Sequence, residues 1–231
     1  MPDNFIFEKQ GPITTITFNR PERRNCLNEE VIFDFEKLLH TVRDDRETRA
    51  LIVTGTGTAF CSGADVSALK GSGDREQARM FSKQAGKRMP RLIGRVFDVL
   101  ANLDIVTIGA INGYAVGGGW SWALAFDFCI AVEAAKFWIP EVDMGVPYRG
   151  APAKVLAARL GPWRAKEAIL ICRRYTAAEL LALGVINRMV KADELMPGAQ
   201  ELARTMAAKP AEAIANSKRD INAVFFGPRL F

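Results

Sequence analysis

From residue 5 to residue 19 the chain reads FIFEKQGPITTITFN, two short runs around Gly11-Pro12 in which Ile16 and Phe18 alternate with threonines. Period-two patterning across a turn predicts a pair of strands. The next apolar positions, Val31, Phe33, Phe35, Leu38, Leu39 and Val42, follow helical spacing. Asn28 is placed to cap that helix, and Glu29 and Glu30 fall in its first turn, where the helix dipole favours acid. ALIVTG, after Arg49, is a continuous apolar run of strand length that stops in TGTGTAFCSGAD. Residues 75 to 103 carry a long amphipathic helical pattern that Pro90 kinks or divides. The strand-like run IVTIGAI, a glycine stretch, and the runs FCIAV and KFWI come next. Beyond Gly150 the pattern is helical in APAKVLAARLG, PWRAKEAILIC, TAAELLALG, 193–208 and 210–225, with one strand from Val185 to Val190. Strand, turn and helix thus recur in one order. The expected class is α/β, a core of repeated β-β-α units over residues 1–190 followed by a helical C-terminal region over 191–231.

The 22 residues from Ile105 to Phe126 carry no charge and would be long enough to span a bilayer. Five of them are glycine, Asn112 lies among them, and Asp104 and Asp127 close both ends, so the run divides into strand, turn and buried helix. Four cysteines (Cys26, Cys61, Cys129, Cys172) lie far apart with no C-x-x-C, and the N-terminus lacks a secretory pattern. Both features point to reduced thiols in a cytoplasmic setting. The net charge of +5 is distributed rather than massed in a tail. No RNA-binding aromatic signature or helix-turn-helix pattern accompanies it, so a phosphate-bearing small molecule is a better partner than nucleic acid.

His40 is the only histidine, set on the helix after Asn28. A Ser-His-Asp triad would depend on that one residue, a histidine-rich metal site is excluded, and no carboxylate cluster replaces it. Acid or base chemistry must come from carboxylates, Tyr, Lys or Cys. GTGTAF lacks the third glycine of a dinucleotide fingerprint, and GYAVGGG lacks the Lys-Ser/Thr of a phosphate loop. A different use remains for NGYAVGGGWSWALAFD. Glycines at a helix entrance let a ligand approach the backbone, and the free N–H of Gly118 could hold a developing oxyanion. Close packing of the helix on a strand is the other explanation. Ser62, at the end of the strand before FCSGAD, offers a second N–H for the same hole. Glu141 follows Pro140 among Trp138, Ile139, Val142 and Met144, company that raises a carboxyl's pKa toward neutrality unless it is a surface ion-pair residue.

Taken in order, RPERRNCLN, ALIVTGTGTAFCSGADV, AINGYAVGGGWSWALAFDFCIA, AKFWIPEVDMGVPYRG and TAAELLALGVINRMV resemble the crotonase superfamily, the enoyl-CoA hydratase/isomerase family. The resemblance runs from about Ile13 to the chain end. It implies a spiral of β-β-α units, a helical C-terminal region that builds a homotrimer or a dimer of trimers, and an acyl-CoA substrate with no cofactor beyond its CoA moiety. By position it gives Ser62 and Gly118 the thioester oxygen, sets Arg24 with Ala64, Asp65 and Val66 along the CoA, and makes Glu141 the acid/base. Two-glutamate hydratases carry a further glutamate two residues after the triple glycine, where this chain has Ser121. Ser121 is therefore expected as a polar positioning group, and the activity as enoyl-CoA hydration or isomerisation. The hydroxycinnamoyl-CoA hydratase-lyases have Ser and Glu at the same pair of positions. A weakly catalytic CoA- or RNA-binding homologue is a further alternative. Trp120 and Trp122 point away from the Ser121 direction, so core packing is expected of at least one of them. The chain also stops at FFGPRLF, where the family continues through further helices.

Overall fold

A computed structural model describes residues 3–65 and 75–226 of the chain. Two strands, β1 (Phe5–Gln10) and β2 (Ile13–Phe18), pair antiparallel across Gly11-Pro12 as the alternation predicts. Helix α1 (Glu29–Asp44) starts where the Asn28 side chain accepts a 2.8 Å hydrogen bond from Val31 N–H, and it buries Val31, Ile32, Phe35, Leu38, Leu39 and Val42. The cap satisfies one of the donors that a helix start leaves open.

The repeat then shows its geometry. Strands β3 (Ala50–Gly55), β5 (Val106–Ile111) and β7 (Phe128–Val132) run parallel in a six-stranded sheet of order β1-β2-β3-β5-β7-β10, where β10 is Arg188–Val190. Each is followed within a few residues by a short strand, β4 (Ala59–Cys61), β6 (Tyr114–Val116) or β8 (Lys136–Trp138). These three lie side by side in a second, four-stranded sheet closed by β9 (Tyr175–Thr176). Every turn of the spiral therefore gives one strand to each sheet and then a helix: α2 (Arg75–Ala101), α3 (Gly118–Ala123) and α4 (Ala151–Leu170). β5 is buried at all six positions, as a parallel strand covered on both faces must be.

Helix α2 runs through Pro90, and α4 breaks at Gly161 (φ 74°) before Pro162, between the two helical patterns that the sequence separates. Beyond α5 (Ala177–Ala182) come α6 (Leu195–Ala207) and α7 (Ala211–Phe226). Helix α6 packs on β3, β5 and β7 through Leu195, Ala199 and Ala203, so it is a layer of the core. α7 is anchored by Lys218, whose ammonium donates to Asp127 at 2.7 Å and to the Ile105 carbonyl at 2.9 Å. Among the described residues no helix is long and apolar enough to cross a membrane.

Candidate functional site

A cavity of about 460 Å³ opens between α2, the entrance of α3 and the segment that follows β8. Ile93, Gly118, Ser121, Glu141 and Tyr148 line it, with Asp98 on α2. Two of the chemistry-bearing residues expected from sequence, Ser121 and Glu141, therefore share one wall with Gly118. A second cavity of about 530 Å³ lies under α7. Its buried charged groups are paired: Lys218 with Asp127, and Arg159 with the carbonyls of Val185, Leu124 and Phe126. The first cavity instead holds a carboxyl oxygen without a partner among the described residues.

The three glycines each meet a different neighbour. Gly117 has φ 51° and ψ −116°, a conformation that a side chain resists, and a Cβ there would lie 2.5 Å from Glu141 Oε1. On Gly118 a Cβ would strike Ile93, and on Gly119 it would lie 2.3 Å from the Cys61 carbonyl. Packing and ligand access are thus both served by the same triplet. Gly118 is the first residue of α3, so its N–H has no carbonyl one turn behind it to bond. Trp120 and Trp122 are both core residues: Trp120 packs on Phe137 and Tyr175, and Trp122 packs between Phe18 and Phe35 while its indole N–H donates to the Ile93 carbonyl at 3.0 Å.

The partner of Gly118 differs from expectation. Ser62 N–H donates to the Arg24 carbonyl at 3.1 Å, so it is already engaged. The next residues form one rung of parallel pairing with Leu27, in which Leu27 N–H bonds Gly63 O at 2.8 Å and Asp65 N–H bonds Leu27 O at 2.9 Å. In such a rung the middle residue, Ala64, turns its own N–H away from Leu27. Gly63 meanwhile sits against the entrance of α3, where a Cβ on it would lie 3.5 Å from Gly118 N. The N–H that can converge with that of Gly118 is therefore Ala64's, two residues beyond the one the sequence suggested. Arg24 is exposed, with φ 50°, and Asp65 is 3.7 Å from Arg23. Val66 lies outside the described residues.

Glu141 sits in a turn whose carbonyl accepts from Val146 N–H at 2.8 Å. Burial pushes its carboxyl up to about 7, and its Oε2 has no hydrogen-bond partner among the described residues. A buried unpaired carboxyl oxygen is costly, which marks Glu141 as a candidate functional group. Asp98 is raised too by burial, but it stands exposed on α2. Ser121 is 2 % exposed, with its hydroxyl 3.1 Å from the Gly117 carbonyl and 2.9 Å from the Tyr148 hydroxyl. Tyr148 is the residue that sequence reasoning passed over: PYRG reads as a loop, and nothing in it foretells that the ring turns inward. Cys61 is fully buried with its thiol pushed up to about 12, and all four cysteines are unpaired. His40 lies on α1 and does not line the cavity. Among the described residues no group of His, Cys, Asp and Glu could hold a metal ion.

The sequence-family model for enoyl-CoA hydratase/isomerase matches residues 8–228. The chain belongs to the enoyl-CoA hydratase/isomerase family. It is 33 % identical over 221 residues to a short-chain-enoyl-CoA hydratase of Clostridium acetobutylicum, covering 95 % of this chain and 81 % of that protein. Its fold matches an enoyl-CoA hydratase/isomerase from Xanthobacter autotrophicus Py2 with a TM-score of 0.85 at 30 % identity, over 96 % of this chain and 79 % of that one. A monofunctional enoyl CoA isomerase from M. smegmatis matches with a TM-score of 0.80 at 27 % identity, over 99 % of this chain and 96 % of that one. In this family, whose members act on CoA thioesters, the crotonase-type spiral read from the five motifs is the observed fold.

Proposed function

We propose that this member of the family moves a proton within an enoyl-CoA, shifting the double bond between the 3 and 2 positions through a thioester enolate. The observation that carries the reading is that one withdrawn carboxyl, Glu141, faces the cavity, with a hydroxyl, Ser121, where two-glutamate hydratases carry a second carboxylate. Addition of water asks for one group to activate the water and another to protonate carbon. An isomerisation asks one group to take a proton and give it back. Glu141 as carboxylate removes the proton from carbon 2 of a 3-enoyl thioester, the electron pair delocalises onto the thioester oxygen, and the carboxylic acid then returns the proton at carbon 4. A pKa near neutrality suits both halves of that shuttle.

The enolate oxygen is held by the N–H groups of Gly118 and Ala64. Charge appears on that oxygen only as the proton leaves, so fixed donors lower the barrier without tightening substrate binding equally. Arg24, Ala64 and Asp65 flank the CoA, and no cofactor beyond that moiety is needed. A homotrimer or dimer of trimers in the cytoplasm completes the proposal. Ile221 and Val224, 62 % and 80 % exposed on α7, give an apolar strip suited to a neighbouring subunit, and four unpaired cysteines suit a reducing compartment.

Incubation of the purified protein with 3-enoyl-, 2-enoyl- and hydroxycinnamoyl-CoA, with products separated by chromatography, tests the reading. Interconversion of the 2- and 3-enoyl thioesters that Glu141→Gln abolishes is expected, and full turnover by that variant would sink it. The Clostridium relative, a hydratase by name, favours hydration as the second reading. A 3-hydroxyacyl product would select it.

A further inference from the structure

The serine that stands where two-glutamate hydratases carry a carboxylate has its hydroxyl engaged by the protein. Its Oγ lies 3.1 Å from the Gly117 carbonyl, to which it donates, and its single proton is spent there. The Tyr148 hydroxyl is 2.9 Å from Ser121 Oγ, a pair in which either oxygen can donate; with the serine proton on Gly117, the donor is Tyr148. Gly117 O also accepts the Ser121 backbone N–H at 2.8 Å, so this carbonyl takes two hydrogen bonds from one residue. The far end of the same peptide unit is the N–H of Gly118. A peptide is a single conjugated group: electron density drawn onto its oxygen leaves its N–H a stronger donor, and bonds in such a chain strengthen one another.

We infer that Tyr148 and Ser121 form a hydroxyl relay, Tyr148 O–H to Ser121 O–H to Gly117 C=O, that arms the Gly118 N–H as an oxyanion donor. Both are positioning residues that act through the peptide. The inference rests on the reading of Gly118 N–H as the thioester's donor and adds what tunes it. It also explains why a serine buried to 2 % keeps a polar atom in an apolar helix, and why a tyrosine from a loop is drawn inward. Burial raises the pKa of the Tyr148 hydroxyl, and the neighbouring Glu141 charge raises it further, so it remains a proton donor across the working range. Glu141 and Tyr148 both lie in the stretch between β8 and α4, so acid/base and relay are set by the same segment.

The test measures the carbonyl stretch of a bound, 13C-labelled saturated acyl-CoA by difference infrared spectroscopy, alongside kcat and KM for the 3-enoyl substrate. In the wild-type protein the band should move to lower wavenumber on binding. Ser121→Ala and Tyr148→Phe should each return part of that shift and lower kcat by about three- to tenfold, a fraction of what loss of a whole oxyanion donor costs. KM should hardly change, and Ser121→Ala/Tyr148→Phe should be no worse than Ser121→Ala, because the two act in series. Glu141→Gln should abolish turnover and keep the shift. A wild-type shift that both single variants leave intact overturns the relay alone, as does an additive double variant. A carbonyl that does not shift in the wild-type protein overturns the oxyanion reading beneath it.

Discussion

Replacing Glu141 by glutamine should stabilise the protein, and only above a definite pH. The carboxyl sits at about 7 in the fold against 4.5 in an ordinary setting, and burial is the cause. Between those values the folded protein holds a proton that the unfolded chain has released, so stability falls as pH rises through the interval and levels off above about 7. At about 1.4 kcal/mol per pH unit the full cost approaches about 3 kcal/mol. Below pH 4.5 the wild-type group is neutral in both states, and glutamine, neutral and of nearly the same shape, gains nothing. The assay is urea unfolding of wild-type and Glu141→Gln proteins at pH 5 and pH 8. Comparing the two differences cancels every other titrating group. The variant should be more stable by about 2–3 kcal/mol at pH 8 and by less than about 1 kcal/mol at pH 5. Equal differences at the two pH values would refute the claim that a buried, unpaired carboxyl is being forced to ionise.

Activity should move with the same group: kcat/KM for a 3-enoyl thioester should rise with pH through an ionisation near 7 as the base form of Glu141 appears, and a flat profile from pH 5 to 9 would exclude it as the base. Gly119→Ala places a methyl 2.3 Å from the Cys61 carbonyl, part of β4 and unable to retreat; urea midpoints should fall by the equivalent of about 1–3 kcal/mol, with turnover lost as well. Asn25 is 1 % exposed, donates to the carbonyls of Thr56 at 3.0 Å and Ala59 at 2.7 Å, and accepts from Arg20 N–H at 2.9 Å. Asn25→Ala should cost about 1–3 kcal/mol in the same measurement, because the half-buried Thr56 carbonyl and the Arg20 N–H lose their partner and the Ala59 carbonyl keeps only the 3.3 Å bond from Asn112.

Runs of strand length made of apolar residues were readable because burial on both faces leaves no alternative composition for β3, β5 and β7. Of the second sheet only β8 was readable, as KFWI. Strands β4, β6 and β9 are two or three residues long, too short for any period to show, and β4 stands inside a segment whose glycines and threonines read as a turn. The helix break at Gly161-Pro162 was legible because proline and glycine act locally. Glu141 announced itself through apolar neighbours on both sides. The choice between Ser62 and Ala64 could not be read, since it hangs on the register of one rung with Leu27, and a shift of two residues conserves every local preference. Tyr148 had no signal at all: its role depends on a ring crossing from one turn of the spiral to the next.

The triple glycine brings these strands of reasoning to one place. Packing and chemistry looked like rival explanations of GGG, yet each glycine couples them. At Gly119 the missing side chain lets α3 rest on the Cys61 carbonyl, and Cys61 leads into the loop that carries the Ala64 N–H, so loose packing there would also move the donor proposed for the oxyanion. Gly117 leaves room for the Glu141 carboxyl and, through its own carbonyl, receives the serine that answers to Tyr148. Gly118, between them, lets Ile93 close over the helix entrance while its N–H stays bare. A helix entrance that tolerated side chains could hold the fold together as well, but it would push the Glu141 carboxyl away from the Gly118 N–H, the two groups the proposed proton transfer needs side by side. Burial beneath this closed entrance is what makes a charge on Glu141 costly.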